Sequence, residues 1–198
     1  MNTRDAILLA SVTDLMKSMK YRLFTDAPNI VGVRKKWGTV NKFDDLMMYF
    51  SLGEKPYFFA WDITTDPGTH WLQNPENVKG TAILVPGQYI DCWQIGLHRG
   101  KYKALTQCRP VKVYRDNDKD NEHDLSPESV DTGVFGINLH RAHEEFNLEK
   151  VDKYSAGCQV IQNHNDFNVF MTCNEQSGVK TFSYTLLREE DFLNKVTF

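Results

Sequence analysis

The sequence predicts a mainly β, α+β fold in which short strands close into a sandwich or barrel, with one helix at the N-terminus and another in the C-terminal third. Three observations carry this. Runs of β-branched and aromatic residues recur at close spacing between residues 21 and 114, divided by Asp66-Pro67-Gly68, Pro86-Gly87, Gly100 and Pro110. Apolar residues keep helical spacing in only two stretches, residues 3–19 and the segment after Asn163. There is no strand-helix-strand alternation, no internal repeat and no glycine-rich phosphate loop.

Taken in order, a first helix is expected from about Thr3 to Met19, capped by Asn2 or Thr3, with Ile7, Val12, Leu15, Met16 and Met19 on its apolar face. Strands are expected at Tyr21–Phe24 and Ile30–Arg34 across the turn Thr25-Asp26-Ala27-Pro28. After the loop Lys35-Lys36-Trp37-Gly38-Thr39, Phe43–Leu52 and Tyr57–Thr64 read as a pair joined through Gly53-Glu54-Lys55-Pro56. Thr81–Val85, Tyr89–Leu97, Tyr102–Thr106 and Val111–Tyr114 follow as strands. Gly136–His140 is a shorter one, with Ile137 and Leu139 on one face and Asn138 and His140 on the other. Asn163 or Asn165 caps a helix carrying Phe167, Val169, Phe170 and Met171, which Gly178 ends. Val179–Leu187 then alternates as a strand, and Arg188–Phe198 is a charged, peripheral tail.

The chain of 198 residues suffices for one domain spanning 1–198, and residues 1–50 leave room for an N-terminal appendage. With 41% hydrophobic and 12% aromatic residues it has the composition of a folded chain rather than a disordered one. A net charge of −3, with no basic stripe on a periodic face, argues against nucleic acid as a partner. No apolar run approaches the ~20 residues of a membrane span, and none has the flanks of a secretory signal, so the expected location at synthesis is the cytoplasm. The four cysteines show no C-x-x-C pair and no zinc-ligand spacing, so reduced thiols are expected, and no cofactor is implied. A Cys92–Cys108 bridge is the alternative that sequence leaves open, while Cys92 and Cys173 lie in apolar patterns that suit burial.

The chemistry concentrates between Gly136 and Ile161. A cysteine is a nucleophile only as thiolate, so a catalytic one needs a base or cation within reach, and His140 is the candidate base for Cys158. Fourteen residues separate His140 from Ser155, enough for a loop that returns the chain beside its start. In Ser155-Ala156-Gly157-Cys158 the small residues permit a tight turn whose N–H groups, at Gly157 and Cys158, point at a developing oxyanion. The competing reading makes Cys158 a buried core thiol.

This pattern resembles the YkuD-type L,D-transpeptidases, peptidoglycan enzymes marked by a histidine, a gap of fourteen to seventeen residues, and Ser/Thr-His-Gly-Cys followed by an apolar residue and Asn or Arg. The spacing matches, as do His140, Ser155, Gly157 and Cys158, over roughly Thr132 to Ile161. Ala156 stands at the motif's second histidine, Gln159 at its apolar position and Val160 at its Asn or Arg. The resemblance implies an L,D-transpeptidase-like sandwich or barrel, Cys158 as nucleophile, His140 as general base and a peptidoglycan stem peptide as partner. The stretches WDITTDPG and GQYIDCWQIGLHRGKYKALTQ resemble proteins encoded by tailed phages, which fits a lysis enzyme released to the wall by a separate pore. Two other classes stay open: a virion or host-interaction protein that keeps the fold without the chemistry, and a cysteine amidohydrolase acting in the cytoplasm.

Two further sets of residues are candidates. Leu97-His98-Arg99 anticipates Leu139-His140-Arg141; either His98 and Arg99 line the cleft wall, where an arginine can clamp a substrate carboxylate, or both triplets are surface strand ends. Asn138 and Arg141 are candidates for orienting His140 or binding substrate. Asp116, Asp118 and Asp120 fall at alternate positions, as at the opening of a calcium loop, but Pro127 occupies its twelfth position and a solvated acidic loop is the other reading.

Overall fold

A computed structural model of the chain describes residues 1–36 and 38–193. Trp37, expected in a loop, and residues 194–198 of the expected tail lie outside the described residues. The chain opens with α1 (Thr3–Ser18), followed by β1 (Asn29–Arg34), β2 (Asp45–Ser51), β3 (Tyr57–Thr64), the short α2 (Thr69–Gln73), β4 (Thr81–Leu84) and β5 (Gly87–His98). Then come β6 (Tyr102–Gln107), β7 (Val111–Asp116), β8 (Asp131–Gly133), β9 (Leu139–Arg141), β10 (Gln159–Ile161), α3 (His164–Gln176), β11 (Thr181–Arg188) and α4 (Glu189–Leu193). The mainly β, α+β expectation is met as a closed eight-stranded barrel in the order β1-β11-β5-β6-β9-β10-β3-β2, beside a second sheet β4-β7-β8. Residues 1–50 contribute α1, β1 and most of β2.

The barrel closes because its strands carry apolar side chains on both faces. On the inner side Trp93, Tyr184, Phe182, Leu186, Ile63 and Leu105 share one core with Leu84 and Val113 of the second sheet, so the two sheets are packed against each other. The two largest of these carry polar atoms, and both are satisfied: Trp93 Nε1 donates to the Ile137 carbonyl (2.7 Å) and Tyr184 Oη to Gln159 Oε1 (2.8 Å). On the outer side Val12, Leu15 and Met16 of α1 pack on Val31, Val33, Met48 and Phe50 of β1 and β2. Burial of each such side chain contributes about 1.5–3 kcal/mol, which holds the helix to the barrel wall. The Asn2 side chain caps α1 by accepting from the Asp5 N–H (2.9 Å). Ile7, expected on the apolar face, is 61% exposed, and Leu8 and Leu9 pack there instead.

Tyr21–Phe24 is not a strand. Its backbone groups are met by side chains: Gln88 pairs with the N–H and C=O of Arg22, and Asn29 with those of Phe24. With those groups satisfied the segment needs no strand partner. Residues 131–133 and 159–161 form strands that the sequence pattern did not predict; at three residues each, neither is long enough to show a period.

Where β1, β3 and β4 approach, a buried guanidinium joins barrel to second sheet. Arg34 donates from Nε to Thr65 Oγ1 (3.0 Å), from Nη1 to the Leu84 carbonyl (2.9 Å) and from Nη2 to the Thr65 carbonyl (3.0 Å), with Asp66 Oδ1 at 2.8 Å. Asp45 beside it accepts from the N–H groups of Lys35 (2.8 Å) and Thr65 (2.7 Å); burial and the Asp66 charge push its carboxyl up to about 7. Removing one partner of such a set strands the others in low dielectric. Arg34→Ala is therefore expected to destabilise the fold by about 3–5 kcal/mol in urea unfolding.

Candidate active site

The site is built where β9 and β10 run parallel, with Gln159 opposite Leu139, Val160 opposite His140 and Ile161 opposite Arg141. The Gln159 N–H donates to the Asn138 carbonyl (2.8 Å) and the Ala142 N–H to the Ile161 carbonyl (2.9 Å). A parallel pair needs a crossover, and residues 142–158 supply it. Its inner side is held by Val151, which packs with Phe43, Ala142 and Val160 and donates its N–H to the Asn41 carbonyl (3.0 Å).

The crossover ends in the Ser155–Cys158 turn. Ser155 is buried, and its hydroxyl donates to the Cys158 carbonyl (2.9 Å) while accepting from the Gly157 N–H (3.2 Å). Gly157 adopts φ +115°, and a Cβ there would collide with the Ala82 carbonyl of β4. The Gly157 N–H, expected to face an oxyanion, is thus committed to Ser155, and Ser155 is a positioning residue. Gln159, at the motif's apolar position, is wholly buried with its amide between Tyr184 Oη and the Thr65 carbonyl. Val160 lies in the small cluster on the crossover, away from the cavity.

Cys158, His140, His98, Arg99 and Asn138 all line one cavity of about 530 Å3, with Ala156, Arg115 and Glu76 also on its wall. The Cys158 thiol is half-buried and donates to the Gly136 carbonyl (3.4 Å); among the described residues it makes no hydrogen bond to His140. Burial pushes the thiol up to about 11, against the opposing pull of the Asn138 backbone and the Arg99 charge. His140 is 4% exposed, and its Nδ1 lies 2.8 Å from the Arg141 carbonyl, an acceptor only. Nδ1 therefore carries the proton, and Nε2 keeps the lone pair a base requires.

His98 stacks on His140, ring centroids 4.0 Å apart. Asn138 fixes it: Oδ1 accepts from the Gln107 N–H (2.8 Å), which turns the amide nitrogen toward His98 Nδ1 (3.2 Å). His98 Nδ1 is then the acceptor and Nε2 the donor. Burial, together with Arg99, lowers His98 to about 4; burial, the stacked His98 and Arg99 lower His140 to about 3. Both rings are neutral at pH 7. The Cys158 thiol and both imidazoles are thus neutral at rest, and no thiolate–imidazolium pair is preformed.

The placement of the remaining candidates divides them. His98 belongs to the cavity and is 8% exposed, whereas Arg99 stands exposed on its rim at φ +50° and makes no ion pair among the described residues. Arg141 faces a neighbouring cavity of about 480 Å3, where its guanidinium lies over the Tyr102 ring (4.3 Å) and pairs with Glu144 (3.2 Å). Asn138 orients His98 rather than His140. Cys92, Cys108 and Cys173 are free thiols, so the Cys92–Cys108 bridge does not form. Asp120 does not join Asp116 and Asp118; Asp124 takes its place. The sequence missed Arg115, whose buried guanidinium stacks on Phe135 (4.5 Å) and donates to the Gly80 carbonyl (3.1 Å); its own strand gave no signal of a cavity wall.

Comparison with protein-family models, with curated proteins and with solved structures returns no match for this chain.

The turn provides an internal control. Gly157→Ala is expected to cost more than the roughly 1–3 kcal/mol of a strained backbone, because the new methyl also meets β4. Gly136→Ala, at φ +77° in open space, should cost only about 1–2 kcal/mol. Equal losses for the two in chemical denaturation would contradict the packing described for Gly157.

Proposed function

We propose that the chain is a peptidoglycan-active cysteine acyl transferase or hydrolase that works on stem peptides through a thioester. The observation that carries this reading is that Cys158, the lone-pair-bearing His140 and the exposed guanidinium of Arg99 open on one cavity. The resemblance of His140, Ser155, Gly157 and Cys158 to the L,D-transpeptidase motif supplies the substrate class, and the likeness to tailed-phage proteins favours cutting the wall over building it.

In this reaction Arg99 holds a carboxylate of the peptide, as a fork of N–H donors suits. The Cys158 sulfur attacks the amide carbonyl carbon while His140 Nε2 takes the thiol proton. Catalytic hydrogen bonds absent at rest commonly tighten only around substrate, which accommodates a thiol and an imidazole that, among the described residues, make no hydrogen bond to each other. The oxyanion is met by the Cys158 N–H and by His98 Nε2–H, donors of a kind worth about 3–4 kcal/mol each. Collapse of the intermediate expels the amine, which leaves with the proton from His140, and the thioester remains on Cys158. Water then releases the shortened peptide, or a second amine takes the acyl group in cross-linking.

A second reading rests on one contact. The Cys158 thiol already has an acceptor in Gly136 and a raised pKa, as a structural thiol in an inert virion or host-interaction fold would.

Acid-quenched mass spectrometry after incubation with disaccharide-tetrapeptides separates the two. The enzyme reading expects loss of the terminal residue and an acyl adduct on Cys158. It further expects no turnover in Cys158→Ala and a loss of about 10²–10⁴-fold in His140→Ala. Intact muropeptides with folded wild-type protein would end the enzyme reading.

A further inference from the structure

We propose that the loop 116–124 binds one calcium ion through the carboxylates of Asp116, Asp118 and Asp124. Asp116 ends β7, held opposite Thr81 of β4, and is wholly buried. Its Oδ2 accepts from the Asp124 N–H (3.0 Å), but its Oδ1 is buried and has no hydrogen-bond partner among the described residues. An orphaned carboxylate oxygen in the interior is costly, and a cation is the partner that relieves it. Asp118 and Asp124 bring two more carboxylates beside Asp116, so that one oxygen from each of the three lies within 4.8 Å of the others. That is the span a single calcium ion can bridge, since ligands at about 2.3–2.6 Å stand at most roughly 5 Å apart.

The order of residues supports the same ion. Asp116, Asp118 and Asp124 occupy the first, third and ninth places of a loop, positions that supply ligands in calcium loops. Asp120, at the fifth place, has its Oδ1 taken by the Glu122 N–H (2.6 Å). Among the described residues no lysine or arginine forms an ion pair with any of the three. Three carboxylates at this spacing suit calcium better than magnesium, which demands a tighter octahedron.

The loop is tied to the wall of the catalytic cavity. Gln73 of α2 donates to Asn121 Oδ1 (3.1 Å), and His123 Nε2 lies 3.4 Å from the Pro67 carbonyl. Trp71 of the same helix lines the cavity. Bound calcium would fix this support.

The test is calorimetric titration of chelator-treated protein with calcium chloride, beside thermal unfolding with and without the ion. One calcium per chain is expected, with the unfolding midpoint raised by roughly 5–10 °C at a hundredfold excess over Kd. Asp118→Asn, an exposed neutral substitution, should keep the calcium-free midpoint of the wild type and lose both the heat and the shift. The proposal is overturned if the folded wild type gives neither heat nor shift, or if Asp118→Asn binds calcium as the wild type does.

Discussion

The parallel pairing of β9 with β10 is the constraint on which the candidate site depends. Most neighbours in the barrel are antiparallel, but this pair is parallel, three residues against three, and carries a seventeen-residue crossover between Arg141 and Gln159. So short a ladder cannot hold its register by backbone bonds alone. It is held by what surrounds it: Val151 and Val160 packed under the crossover, the Ser155 hydroxyl closing the turn, and Gly157 seated against the Ala82 carbonyl. Behind it stands α3, whose Phe167 and Phe170 belong to the main core, and Asn163 caps that helix. The nucleophile candidate thus sits between two rigid supports, which is how a side chain is kept in place without a strong bond of its own.

The electrostatics of the cavity follow from burial. Two imidazoles 4.0 Å apart cannot both be charged, and with Arg99 nearby neither is. The hydrogen bonds then decide the tautomers, giving one ring that accepts at Nε2 and one that donates there. A neutral thiol beside them is a poor nucleophile at rest, and a thiol raised to about 11 facing an imidazole lowered to about 3 makes proton transfer costly until bound substrate draws the two together and changes their surroundings.

The sequence showed the fold class and most long strands because a β-branched or aromatic run between Pro or Gly turns leaves little else for the chain to do. It showed His140, Ser155, Gly157 and Cys158 because they lie in one segment. His98 was less legible: its strand reads as a surface hairpin end, and only the barrel order, with β6 between β5 and β9, brings it onto His140. Tyr21–Phe24 misled because β propensity is blind to Gln88 and Asn29, side chains outside the segment that satisfy its backbone. Asp120 misled because loop spacing alone does not show the turn at Lys119 (φ +64°) or the Glu122 N–H that occupies its Oδ1, and Asp124 takes the place. The peptidoglycan assignment still stands on the motif alone.

The most direct test is the rate of Cys158 alkylation by iodoacetamide in the native protein as a function of pH, read by mass spectrometry. The account predicts labelling without unfolding, slow at neutral pH and still accelerating beyond the ~8.5 of a free thiol toward about 11. Labelling of Cys158 only after unfolding would show a thiol sealed in the core and remove the nucleophile from the site. A plateau already reached below pH 8 would show a preformed thiolate and contradict the neutral resting thiol.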